Sequence, residues 1–310
     1  MHHAPAKIIL FGEHAVVYGQ PAIAVPFTAL QATADSEPTP PGTGLTIIAS
    51  DLQQQLHIKD ADTMLDNALL RSAQLTLNKL NVPTPDLNIT VSSTIPLASG
   101  LGSGAAVSAA LIRELSAAVG CPLEGDELNA LVFEVEKMHH GTPSGIDNTV
   151  IVKGAPVYFI KGQPPQTFDI GAPLTFVIAD SGIQASTRES VGAVRELYDN
   201  DPDTYQGFFE EIGAIVNEAR GHIEHGNLND IGHLMNRNHH LLNILTVSSP
   251  LLNTLVSTAR ETGALGAKLS GGGRGGNVIA LVEPDNAHWV ADAFREAGAV
   301  RTWVTTVGKS

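Results

Sequence analysis

The sequence predicts a mixed α+β protein of two domains, and three observations lead there. At 310 residues the chain exceeds what one compact core usually holds. Segments with strand-like and helix-like spacing alternate along it without internal repeats. A Gly- and Pro-rich passage at 161–173 separates two compositions, which divides the chain into domains at 1–165 and 166–310.

Taken in order, 7–11 and 22–34 read as strands joined by a turn around Gly19 and Gln20, and 45–48 with 56–58 continue that sheet. Three prolines and two glycines make 36–44 a surface loop. Apolar residues recur at helical spacing over 62–80, 104–119 and 126–140, the last opening on an acidic turn, with a strand at 87–95 between the first two. Past the boundary, 174–180 reads as a strand. Helices follow at 187–199, 205–226, 228–245 and 250–261, and 268–282 is a glycine loop running into a strand.

Composition removes several classes of function. Hydrophobic residues at 43% and charged residues at 16% describe a folded globular chain. A formal charge of −14, with no cluster of Lys and Arg, argues against a nucleic-acid surface. The apolar start of the chain is interrupted by Gly12, Glu13 and His14 too early for a signal segment or a membrane span. Cys121, the single cysteine, excludes an intramolecular disulfide and reads as a small buried hydrophobe. A cytoplasmic protein is expected. The sequence admits a homodimer without deciding it.

The segment PLASGLGSGAAVSAALI, 96–112, carries the strongest chemical signal, because a strand passes through a glycine and serine loop into an alanine-rich helix. Gly100, Gly102 and Gly104 permit φ > 0 and close approach of a ligand, and the opening helical turn offers unpaired N–H groups. This order suits a phosphate cradle, or a tight strand-to-helix turn with no ligand. The second loop matches G-x-G-x-x-G at Gly271, Gly273 and Gly276, but it precedes a strand, the reverse of the dinucleotide-binding order. The G-x-x-x-x-G-K-[ST] pattern is absent.

Three further features bear on chemistry. Lys7 sits among apolar neighbours in the first strand, either buried beside an anion or snorkelling from an edge. Glu136 near a helix end and Asp147 in the loop HHGTPSGIDN bracket turns enforced by Gly141, Pro143 and Gly145. Such a pair suits a metal ligand and a general base, or a surface charge and a cap. Glu136 and His140 also share a helical face as zinc ligands would, but no third ligand at zinc spacing accompanies them; His222, His225, His239 and His240 read as helix-surface residues.

Together, KIILFGEHAVVYGQPAIAVP, PLASGLGSGAA, HHGTPSGIDN and KLSGGGRGGNVIAL resemble the ordered signature of the galacto-, homoserine, mevalonate and phosphomevalonate (GHMP) kinase superfamily, from Lys7 to about Val282. GEHAVVYG followed by PAIA is similar to its mevalonate kinase branch. The resemblance implies the superfamily's two-domain α+β fold, with ATP and substrate meeting in an interdomain cleft. It implies ATP and Mg²⁺ as cofactors and mevalonate as the small-molecule substrate, phosphorylated at its C5 hydroxyl. Asp147 would be the base or orienting group and Lys7 the stabiliser of the developing alkoxide. Pro96, Ala98, Ser99, Gly100, Leu101, Gly102, Ser103, Gly104 and Ala105 would hold ATP. Glu136 would hold the metal, and Glu13, His14, Thr187 and Gly272 would form the substrate end, with Gly271 to Gly275 as a buttress. Two departures stand out. Many members read GLGSSAA, so Gly104 replaces a metal-binding serine and leaves Ser103 as substitute; Arg274 stands where glycine is commoner, either as a cation near phosphate or as outer cover. A phosphomevalonate or mevalonate 3-kinase and a noncatalytic sensor remain alternatives.

Overall fold

The computed structural model describes residues 1–97, 99–140 and 144–308, and the side chains of His139 and His140 fall outside that description. Proximity of Cα atoms divides the chain into two compact units. Unit 1 comprises Met1–Lys7, Leu30–Leu97 and Leu101–Gly154; unit 2 comprises Ile8–Ala29, Ala98–Gly100 and Ala155–Ser310. Both are discontinuous, because the paired strands β1 (His2–Phe11) and β2 (Ala22–Pro38) each contribute residues to both.

In unit 1, β3 (Leu45–Ala49) pairs antiparallel with β4 (Gln54–His57) and parallel with β5 (Leu87–Ser93), which runs antiparallel to the later half of β2. Ser36, Glu37 and Pro38 therefore lie in a ladder opposite Ile89, Asn88 and Leu87, not in the surface loop expected from their proline-rich context. Partners on β5 outweigh local turn composition, and the proline closes the strand, where a missing N–H is tolerated. Four helices complete the unit: α1 (Ala68–Leu80), α2 (Ser103–Ala118), α3 (Gly125–His140) and α4 (Ile146–Lys153). Helix α1 begins at Ala68 instead of residue 62, because Asn67 adopts an extended conformation and caps it, accepting from the Leu70 N–H at 3.1 Å. Helix α2 packs on α1, α3, α4 and β5 through the buried alanines 105, 106, 109 and 110. Small side chains there let the backbones approach closely. Cys121, just beyond α2, is exposed, correcting the buried reading; the chain is already turning at the surface after the helix ends.

In unit 2, β6 (Val157–Phe159) and β7 (Gln166–Thr167) extend the sheet edge begun by Ala22 to Ala24. A second, antiparallel sheet has the order β11 (Arg301–Val307), β8 (Leu174–Asp180), β10 (Asn277–Val282), β9 (Gly266–Ser270). Helices α5 (Thr187–Asn200), α6 (Pro202–His225), α7 (Leu228–Ile244), α8 (Pro250–Glu261) and α9 (Ala287–Glu296) accompany it, with α7, α8 and α9 packed on its strands. Serine caps with proline or glutamate set two of these starts. Ser186 accepts from the Glu189 N–H in an S-x-x-E arrangement, and Ser249 caps α8 ahead of Pro250. Among the described residues no helix is long and apolar enough to cross a membrane.

Helix α7 meets β9 backbone to backbone. A Cβ at Gly266 would lie 2.0 Å from the Gly232 carbonyl oxygen, and one at Gly232 would lie 2.4 Å from that of Leu265. Neither backbone can yield alone, since β9 is hydrogen-bonded to β10 along its length. Gly266→Ala is expected to cost about 3 kcal/mol, at the upper end for overpacking, read as a lower urea midpoint at unchanged slope.

Candidate active site

Lys7 is buried at 4% exposure, and its Nζ lies 3.1 Å from Oδ1 of Asp147. Its backbone N–H donates to the Leu101 carbonyl at 3.0 Å, which ties strand β1 to the loop preceding α2. A Cβ on Gly102 would meet Ile151 Cδ1 at 2.8 Å and Lys7 Cγ at 3.0 Å, and its φ of +78° belongs to the left-handed region. Glycine is thus required there by both space and backbone. Gly102 occupies the cap position of α2 and has no side chain to offer, so the first turn, Ser103 to Ala105, presents its N–H groups and the positive helix end to an anion. Gly104 lies within the helix instead of supplying positive φ as expected, because the helix opens one residue earlier, at Ser103.

Asp147 was expected in a loop. It lies in the first turn of α4, which Gly145 opens with φ +89° and which buries Ile146, Val150 and Ile151. The helix is short and rich in β-branched residues, whose propensity favours strands, so only its packing reveals it. A carboxylate in a first turn is stabilised by the helix dipole. Glu136, at 5% exposure near the end of α3, has its pKa pushed up to about 7, first by burial and then by the nearby Asp147 charge, with Lys7 opposing. Among the described residues no group of three or more His, Cys, Asp or Glu could cage a metal alone.

Unit 2 brings together the residues expected at the substrate end. Glu13 and His14 follow β1, both buried, and the His14 ring Nε2 lies 3.0 Å from the Gly272 carbonyl. A Cβ on Gly272 would fall 2.9 Å from Thr187 Oγ1, which places the opening of α5 against the same loop. His14 takes φ +62°, unusual for a side-chain-bearing residue, and burial pushes its pKa down to about 4. In the same unit, Asn277 Nδ2 donates to the Ser99 carbonyl at 2.7 Å. Arg274 lies exposed, with its own φ at +61°; its N–H donates to the Val247 carbonyl at 2.6 Å and its Nε to that of Thr246 at 3.4 Å, which fits the outer-cover reading.

Ala98, Gly141 and Pro143 lie outside the described residues, as do the side chains of His139 and His140. Two residues were missed by sequence reasoning. Lys268, fully buried in β9, bonds to Glu13, and Asn277 holds the Ser99 carbonyl. A lysine inside an otherwise apolar strand was the available signal for the first; nothing in the sequence marked the second. His239, read as a surface residue, is half-buried between the Asn253 side chain at 3.1 Å and the Leu269 N–H at 3.4 Å.

Residues 67–154 match the family model described as GHMP kinases N terminal domain, and residues 219–300 that described as GHMP kinases C terminal. The mevalonate kinase of Pyrococcus horikoshii is 35% identical over an alignment covering 96% of this chain and 92% of its own. That of Aeropyrum pernix is also 35% identical, with 90% and 87% covered. The crystal structure of L. major mevalonate kinase in complex with R-mevalonate is similar at a TM-score of 0.86 and 30% identity, covering 100% of this chain and 96% of that one. The Methanococcus jannaschii mevalonate kinase structure gives 0.86 at 27% identity, with 99% and 98% covered.

Proposed function

The chain belongs to the GHMP kinase family, and on that premise we propose that it transfers a phosphoryl group from ATP to the C5 hydroxyl of mevalonate, giving 5-phosphomevalonate and ADP. The observation that carries this reading is the Lys7 and Asp147 ion pair beneath an uncapped, glycine-led helix N-terminus. Phosphoryl transfer asks for positioning and charge neutralisation more than covalent chemistry, and that cluster supplies a base, a cation and an anion cradle. We assign 1–165 to the N-terminal domain and 166–310 to the C-terminal one, around the matched residues 67–154 and 219–300.

Asp147 orients the hydroxyl and accepts its proton, while Lys7, held within 3.1 Å of that carboxylate, stabilises negative charge as it develops on the oxygen. The loop from Pro96 through Ser99 to Ala105 receives the phosphates of ATP. Glu13, His14, Thr187 and Gly272 bind the rest of the substrate. Glu136 and Ser103 would hold Mg²⁺, and the Asp147 charge that acts on Glu136 suits a cation there. When bound, the ion neutralises charge on the phosphate oxygens.

Release of ADP in a coupled assay, with mevalonate, phosphomevalonate, homoserine and galactose offered separately, tests the assignment. Turnover is expected with mevalonate; turnover with another acceptor alone, or none despite ATP binding, overturns it. Gly104→Ser tests the metal ligands. Mg²⁺ retains water readily, so a water would take the position a serine would fill. Restoring the hydroxyl is expected to lower the half-saturating Mg²⁺ concentration about fivefold, the worth of one hydrogen-bond-sized contact, and loss of activity would show that the loop works in another way.

A further inference from the structure

Lys268 is the one fully buried side chain of its kind in β9 that the proposed chemistry leaves without a task, and its surroundings suggest one. Its exposure is 0%, and its Nζ bonds to Oε1 of Glu13 and, at 2.7 Å, to the Leu269 carbonyl. Burying two ions is costly, and a fold that needed only packing would do as well with apolar residues of similar volume. What the pair leaves unmet is informative. Among the described residues Oε2 of Glu13 has no hydrogen-bond partner, and neither has Nδ1 of the adjacent His14.

The two unmet atoms have the same character. The Gly272 carbonyl can only accept, so His14 carries its proton on Nε2, and the ring stays neutral at pH 7 because burial pushes its pKa down to about 4. Nδ1 is therefore a bare acceptor, as is Oε2. Two neighbouring buried acceptors repel a carboxylate or phosphate and are satisfied by hydroxyl donors. We propose that Lys268 is a positioning residue that holds the Glu13 carboxylate ionised and aimed, so that Glu13 Oε2, next to the bare His14 Nδ1, accepts the hydrogen bond of the substrate hydroxyl that is not phosphorylated. This rests on the mevalonate kinase reading above: mevalonate carries two hydroxyls, Asp147 takes the one at C5, and Glu13 takes the other in preference to the carboxylate.

Burial pushes the Glu13 pKa up and Lys268 pulls it back, while Lys268 itself is pushed down by burial. The other charged or titratable groups facing this pair are His14, His239 and Arg274, and both histidines are neutral at pH 7, with pKa values lowered to about 4. Removing Lys268 therefore takes away the cation that opposes burial, and the Glu13 pKa rises further.

Lys268→Met is expected to raise KM for mevalonate at least about tenfold, the loss of a charge-assisted hydrogen bond, with KM for ATP unchanged. Its kcat/KM relative to wild type should climb as pH rises, because only ionised Glu13 accepts the hydroxyl. Carboxyl ¹³C NMR, with Glu13 assigned by loss of its signal in Glu13→Gln, should show that residue titrating at higher pH in Lys268→Met. The double variant Glu13→Gln with Lys268→Met leaves no unpaired buried charge, and should fold while keeping the raised KM with the pH dependence of the wild type. A Glu13 titration unmoved in Lys268→Met, or a double variant with wild-type KM, overturns the proposal. Absence of mevalonate turnover in the wild type would overturn the functional reading instead, and the NMR titration still decides the positioning claim.

Discussion

Asp147→Asn lowers kcat for mevalonate phosphorylation by about a thousandfold, within the range for loss of a general base, and leaves KM for ATP unchanged. The amide keeps the volume of the carboxylate and a hydrogen-bonding oxygen, but it neither accepts a proton nor balances the Lys7 ammonium 3.1 Å away. Lys7, at 4% exposure, would be left as a buried cation, an arrangement that ordinarily unfolds a site. Here Glu136 remains in electrostatic reach of Lys7, so the variant is expected to fold with a depressed melting temperature. Steady-state kinetics with mevalonate, beside thermal unfolding of the same preparation, separate the two effects. Turnover above a tenth of wild type would remove Asp147 from the reacting hydroxyl.

That prediction depends on a residue whose identity was legible and whose setting was not. Asp147 stood out as an acid among turn residues, yet the helix it begins could not be read, because Thr149, Val150, Ile151 and Val152 favour strands and its eight residues span only two turns. Strand β8 and helix α8 carry the bounds that periodicity and punctuation suggested. Both have unambiguous local signals: an unbroken apolar run for the first, a serine cap before proline for the second. The second half of β2 failed for the opposite reason, since Ser36 to Pro38 look like a turn until β5 supplies partners. Local sequence encodes caps and faces; it does not encode which backbone edge is waiting elsewhere.

The substrate end shows the same division. Glu13 and His14 were singled out because GEH belongs to a family pattern, whereas Lys268 lies 255 residues from Glu13 and joins it only through the position of β9. A buried ion pair of this separation has no signature in either segment alone. The residue type was the only clue, as a lysine in a strand whose neighbours are all buried must have an anion beside it.

Glu136→Gln is expected to abolish turnover while making the metal-free protein more stable at alkaline pH. The carboxyl has its folded-state pKa pushed up to about 7 from an ordinary value of 4.5, so folding favours its neutral form. Stability is therefore undiminished below about pH 4.5 and is lost as pH rises through 7. By pH 8 the ionised group destabilises the fold by about 3 kcal/mol. Glutamine cannot ionise, so urea unfolding in the presence of a chelator should give variant and wild type similar midpoints at pH 5, with the variant ahead by about 2–3 kcal/mol at pH 8. Equal midpoints at both values would mean that Glu136 is comfortable as an anion without metal. A carboxylate whose ionised form weakens the fold, set beside Asp147 and Lys7, suits a task other than folding. A cation bound there would relieve the repulsion and recover the stability, which ties the metal's affinity to the same strain that the glutamine variant removes.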